Sequence, residues 1–217
     1  MFDPQDRSWT TKSIVLTNTN AEIRFSLADE FYKDPNILDE TSRVAIPAPA
    51  LESEDPYYPS SIEVLSHVGA LAEHYRAVLK LARLYGHSYN EYCQHFWLRL
   101  QFEGAEGGIP FPWYDTLESM ERLFDWLHSA ADGDEWHDVE QGWEVIAIRI
   151  GQHFHLRLGG FDQGGEFANF ALPRDPLLAS VASLRERMGA LVTRLTAELG
   201  EDYWTRHRYD LRTDLDR

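Results

Sequence analysis

Residues 141–200 constrain the fold more than any other stretch, because they read as strand, tight turn, strand, Gly-rich turn, strand and one long helix. In 143–150 the side chains alternate, with Glu144, Ile146, Ile148 and Ile150 on one face and Trp143, Val145, Ala147 and Arg149 on the other. Gly151 and Gln152 suit a two-residue hairpin, since glycine tolerates the positive φ such turns demand. The returning strand, 153–158, points Phe154, Leu156 and Leu158 inward and His153, His155 and Arg157 outward. Gly159, Gly160, Gly164 and Gly165 bracket a turn into a third strand over 166–172, which Pro173 ends. Asp175 is then expected as N-cap and Pro176 as the first helical residue. Leu177, Val181, Leu184, Met188, Leu191, Leu195 and Leu199 recur at steps of four and three, one apolar stripe closed by Gly200.

The preceding chain predicts more of the same architecture. Segments 13–17 and 22–27, joined by an Asn-Thr-Asn turn, suggest a hairpin, and the Pro-rich 44–59 reads as a surface loop. Ser60 and Glu63 make a capping-box pattern for a helix that runs to Gly86 through Leu65, Val68, Ala72, Tyr75, Leu79 and Ala82. The segment 92–102 is expected to hold an alternating strand, 95–100, followed by a Gly-Pro turn. Asp115 and Glu118 would cap a further helix through Leu117, Met120, Phe124 and Leu127 to about Ala131. Residues 95–100 (HFWLRL) match 153–158 (HFHLRL) at five of six positions, with Gly107 and Gly108 matching Gly164 and Gly165. Two accounts stay open: an internal duplication of a strand–turn–helix unit, or the recurrence any sheet with one apolar face produces. Both predict an α+β fold, a largely antiparallel sheet with three main helices packed on one face. The expected organisation is one domain over 1–217. Its parts are N-terminal strands and loop (1–59), helix-strand-helix (60–131), a three-strand meander with the long helix (132–200) and a partly ordered tail (201–217).

Composition matters for what the chain binds. A net charge of −16 argues against direct binding to nucleic acid, whose phosphates need neutralising. The excess is uneven: −6 over 1–60, 0 over 61–103, −9 over 104–150 and −1 over 151–217. A single cysteine, Cys93, excludes an internal disulfide and fits a reducing cytoplasm. Asp3 and Asp6 argue against a signal peptide, and no apolar run approaches the roughly 18 residues of a membrane span.

Specific catalytic signatures are missing. His153 and His155 project the same way on a strand, as metal ligands can, but no HExxH motif or Cys cluster accompanies them. Residues 132–143 depart from a calcium loop, with Trp136 at position 5, His137 at position 6 and Trp143 at position 12. Cys93 with His95 lacks an orienting third group, and the Gly pairs belong to hairpins rather than to a phosphate cradle. What remains is a surface: Asp132, Asp134, Glu135, Asp138, Glu140 and Glu144 beside Trp136 and Trp143, with Trp97, Arg99, His155 and Arg157 as further contributors from the strands. Indoles supply contact area and carboxylates steer a cation. The expectation is a non-catalytic, acidic, cytoplasmic protein without cofactor or metal that binds a basic protein, as an immunity protein neutralises a bacterial toxin enzyme. A metal-dependent enzyme using His153 and His155, or an acidic mimic of nucleic acid, are the alternatives; the dull reading places both indoles in the core.

Overall fold

The computed structural model describes residues 7–37, 39–53, 55–111, 116–140, 142–160 and 167–206. In chain order the first strands are β1 (Ile14–Val15), β2 (Asn20–Phe25), β3 (Glu30–Tyr32) and β4 (Arg43–Ala45). Three helices follow, α1 (Ser61–Leu65), α2 (Val68–Tyr85) and α3 (Tyr89–Tyr92), then β5 (Leu98–Gly104) and β6 (Gly107–Pro110). After α4 (Leu117–Ser129) come β7 (Glu135–Glu140), β8 (Trp143–Ile150), β9 (His153–Gly160), β10 (Ala168–Pro173) and the long α5 (Arg174–Leu199). Mixed helices and mainly antiparallel sheets ending in a long helix make this the expected α+β fold. Among the described residues no helix is long and apolar enough to cross a membrane.

The chain divides into two compact units. One comprises Met1–Ala21, Gln101–Trp113 and Met120–Leu184; the other Glu22–Leu100, Tyr114–Ser119 and Arg185–Arg217. In the first unit a five-stranded sheet has the order β1-β10-β9-β8-β7. The β8–β9 hairpin closes at Gly151 (φ 57°) as its sequence predicts, with Ile150 opposite His153. Phe154, Leu156 and Leu158 are buried while His153, His155 and Arg157 are half-buried, so the alternation of β9 is as expected. On β8 it is not, because Glu144 to Ile148 are buried on both faces. One face packs on helices, with Trp126 of α4 against Phe154 at 5.6 Å. The other is covered by the 3-10 turn Ser8–Lys12, whose Trp9 sits on Ile146 and Ile148. Phe167 also folds over that second face, its ring 4.2 Å from the Arg157 guanidinium. Glycine at 159 permits this, because a Cβ there would stand 2.6 Å from the Phe167 ring.

The expected hairpin of 13–17 with 22–27 does not form. The turn exists, with Asn18 at φ 53°, but β1 runs parallel to β10, and the Leu16 N–H donates to the Ala171 carbonyl at 2.9 Å. In the second unit β2 instead lies beside 57–60, where Phe25 N–H donates to the Pro59 carbonyl at 3.0 Å. Similarly, the helix expected from Ser60 to Gly86 is two helices. The Ser60–Glu63 capping box is present, but His67 leaves helical geometry (φ −128°, ψ 29°) before α2 begins. Val68, Ala72, Tyr75, Leu79 and Ala82 form the buried stripe, and Gly86 at φ 73° ends the helix.

Two further expectations change, at His95 and at Asp175. Residues 93–96 form a 3-10 turn, so His95 and Phe96 precede the strand rather than lie on it, and the matching hexamers 95–100 and 153–158 differ in structure. Asp175 belongs to the first turn of α5, which starts at Arg174, instead of preceding it. The tail carries core residues: Trp204 is fully buried, edge-on to Tyr75 at 5.2 Å and Phe96 at 5.7 Å. The Asp115 cap and the turn 161–166 lie outside the described residues. Along α5, Leu177, Val181 and Leu184 are buried in the first unit and Met188, Leu191 and Leu195 in the second.

Candidate functional site

Strand β7 is the edge of the five-stranded sheet, paired only with β8 among the described strands. Residues opposite each other in an antiparallel pair share a face. Trp136, Asp138 and Glu140, opposite Ala147, Val145 and Trp143, therefore occupy one face. Glu135, His137 and Val139, opposite Ile148, Ile146 and Glu144, occupy the other. The eight site positions are thus divided: the two indoles share a face with positions 138 and 140, while Glu135 and Glu144 are across the sheet. Asp132 and Asp134 lie in the turn before the strand.

The indoles differ. Trp143 is 46% exposed, whereas Trp136 is half-buried. Several of the carboxylates are engaged within the unit. Asp132 accepts from the Gly151 N–H at 2.6 Å, and Asp134 from the Ala131 N–H at 2.7 Å, which fixes the turn leading into β7. Glu135 meets Arg7 at 2.8 Å, and buried Glu144 lies 2.8 Å from His137 Nε2. Among the described residues, Asp138 has no ionic partner. It is half-buried, with Trp143 two positions away across the hairpin on the same face.

The edge also presents backbone. Arg149 N–H donates to the Asp134 carbonyl at 3.1 Å, so 134 and 149 are a hydrogen-bonded pair. Alternation along the ladder then turns the N–H and C=O of 136, 138 and 140 toward β8 and those of 135, 137 and 139 away from the sheet. Val139, on this open edge, is 47% exposed.

The other candidates are dispersed. Trp97 closes the 3-10 turn just before the separate strand β5, and Arg99 is the second residue of that strand. His155 Nδ1 is 3.3 Å from Ser13 Oγ and its ring meets Trp9 edge-on, while Arg157 lies under Phe167. Burial, then the neighbouring His153, lower the His155 pKa. The His153 and His155 rings are 6.2 Å apart, and no group of three or more His, Cys, Asp or Glu that could hold a metal occurs among the described residues. Cys93 is buried on the 3-10 turn, its Sγ 3.6 Å from the Asn90 carbonyl, so it shares no strand face with His95.

Two groupings in the second unit are not apparent from sequence. Glu22 is 2% exposed; its Oε1 accepts from the Ser61 hydroxyl, the Ser61 N–H (3.1 Å) and the Ile23 N–H (2.9 Å). Arg187 completes this network, with Nη2 to Glu22 at 3.1 Å and Nε to Ser61 Oγ at 2.6 Å. Every oxygen of the carboxylate has a donor, which is a structural clasp rather than an open site. The second grouping surrounds Phe31, with the His95 ring stacked at 5.3 Å and His87 at 4.8 Å. His74 lies close enough to act on His95 electrostatically. Spacings of 74, 87 and 95 match no regular period, so only the tertiary structure unites them.

Comparison of the chain with protein-family models, with curated proteins and with solved structures gives no match.

Proposed function

We propose that the chain is a non-catalytic binding protein whose β7–β8 hairpin engages a basic protein, in the manner of an immunity protein that neutralises a bacterial toxin enzyme in the cytoplasm. The observation that carries this reading is Trp143, a large indole left 46% exposed on β8, next to the edge strand β7 and on the same face as Asp138. Exposed Trp is favoured as an interface anchor, and truncating such an anchor typically costs 2 kcal/mol or more, about 30-fold in affinity. In sequence, the segment 104–150 that contains Trp143 carries a net charge of −9, and such an excess accelerates encounter with a cationic partner. The outward backbone groups of 135, 137 and 139 offer an extended partner segment main-chain hydrogen bonds.

A nucleic-acid mimic requires a longer row of carboxylates. Here positions 138 and 140 follow one another on one face, and Glu135 and Glu144 are on the other.

The test is a panel of cationic toxin nucleases mixed with the protein by calorimetry at low and high salt. A specific complex is expected, weakened by salt and by Asp138→Lys, and weakened at least 30-fold by Trp143→Ala. A complex that is indifferent to both substitutions would locate binding elsewhere and remove this reading.

A further inference from the structure

A second surface has the opposite character. On α2, Arg76, Lys80 and Arg83 stand at i, i+4 and i+7, and so share one face of the helix. They hold three of the four basic side chains between residues 61 and 103. With Leu79 of α2 and Glu198 and Leu199 of the last turn of α5, they line an open cavity of about 270 Å³ within the second unit.

The walls of this cavity are not equivalent. Arg76 is held in place, its Nη2 2.5 Å from the Glu198 carboxylate and 3.0 Å from the Glu198 carbonyl. Arg76 thereby caps the C-terminal end of α5, where carbonyls are left without helical partners. Lys80 and Arg83 are exposed and, among the described residues, neither has an ion-pair partner. Arg83 is within electrostatic reach of Tyr203, whose hydroxyl donates to Glu201 at 2.9 Å. Leu79, buried, and Leu199, half-buried, supply apolar surface between the charges. A favourable helix-end charge explains a base in the last turn of α2, but not a concave arrangement of bases around two leucines.

We propose that this cavity binds a small organic phosphomonoester, the phosphoryl group between Lys80 and Arg83 and a short apolar body against Leu79 and Leu199. Three cations against one carboxylate leave a local charge of +2, which a phosphoryl dianion neutralises. Arg83 offers two parallel N–H donors and Lys80 a point charge, the pairing by which proteins hold phosphoryl oxygens. The overall −16 does not forbid this, because charges beyond about 8 Å are largely screened at physiological ionic strength. The volume lies just below the roughly 300–1,000 Å³ typical of pockets for drug-sized ligands, which favours a fragment-sized body. The site is independent of the β7–β8 hairpin in residues and in charge.

Phenyl phosphate and inorganic phosphate serve as probes, titrated into isotope-labelled protein at constant ionic strength while backbone amide shifts are followed. Saturable shifts confined to 76–84 and 196–200 are expected with phenyl phosphate, and a dissociation constant at least threefold weaker with inorganic phosphate. Lys80→Glu and Arg83→Glu, both at exposed helical positions, should each weaken binding about tenfold without altering the remaining spectrum. Equal affinity for the two probes retains phosphoryl recognition and assigns the site to the free ion. No localised shift with either probe, or binding that survives both substitutions, overturns the proposal.

Discussion

Lowering the pH should destabilise the protein through His95, and the size of the effect follows from its surroundings. His95 is 3% exposed, stacked on Phe31, and has His74 and His87 as its electrostatic neighbours. Burial, with a smaller contribution from those two imidazoles, depresses its pKa from 6.5 to about 4. The sign is set by the depression: the unfolded chain takes up the proton first, so the stability His95 contributes is complete above about 6.5 and is lost as the pH falls toward 4. With one proton and these two pKa values, linkage gives a loss of about 2 kcal/mol between pH 7 and pH 5, reaching about 3 kcal/mol at pH 4. Urea denaturation at pH 7, 6 and 5 measures this, with His95→Leu alongside to subtract every other titrating group. The variant should start less stable, from lost stacking, and show a pH dependence shallower than wild type by about 2 kcal/mol across that range. His95→Gln provides a polar control with the same expected flattening. Parallel pH curves for all three proteins would refute the assignment of the acid sensitivity to this ring.

Other outcomes can be read from the same denaturation measurements. Glu22→Ala strands the Arg187 guanidinium and should cost about 3–5 kcal/mol, whereas Glu22→Leu combined with Arg187→Met should recover most of that loss. Trp204→Ala removes a fully buried indole from Tyr75 and Phe96 and should cost about 3–5 kcal/mol, which makes 201–206 part of the cooperative fold. Gly159→Ala forces Phe167 off the sheet face and should cost about 1–3 kcal/mol, with a matching shift in the NMR signals of Arg157.

The parts legible in the sequence are those whose signal is local. The hairpin β8–β9 is marked by the period-two alternation of β9 and by Gly151, and α5 by one stripe from Leu177 to Leu195, so both are readable within a short window. The capping box at Ser60 and the stop at Gly86 are equally local. Errors arise where distant chain decides. Residues 13–17 and 22–27 both read as strands, but nothing in their pattern reveals that β10 accepts the first, in parallel. His95 continues an alternating run, yet packing on Phe31 places it on a 3-10 turn. Glu22 sits between Ala21 and Ile23 in an ordinary strand pattern, and the distant Ser61 and Arg187 are what make its burial tolerable. The candidate surface is legible in composition and not in facing. Alternation alone separates Trp143 from Glu144, but only pairing register, which a residue list does not contain, puts Trp136 on the side of Trp143 and Glu135 on that of Glu144.

The parallel pairing of β1 with β10 has a consequence for biosynthesis. Ile14 and Val15 leave the ribosome about 150 residues before the strand that receives them, at Phe170 and Ala171. During that interval β1 has no lateral partner in its final sheet, and Ile14 and Val15 remain 56% and 50% exposed even in the finished molecule. Closure of so long a loop is entropically slow, whereas the β7–β10 meander needs only neighbouring contacts. The meander should therefore assemble first and the amino-terminal strand dock last, making translation of β10 the step that releases the early chain from exposure to chaperones and proteases.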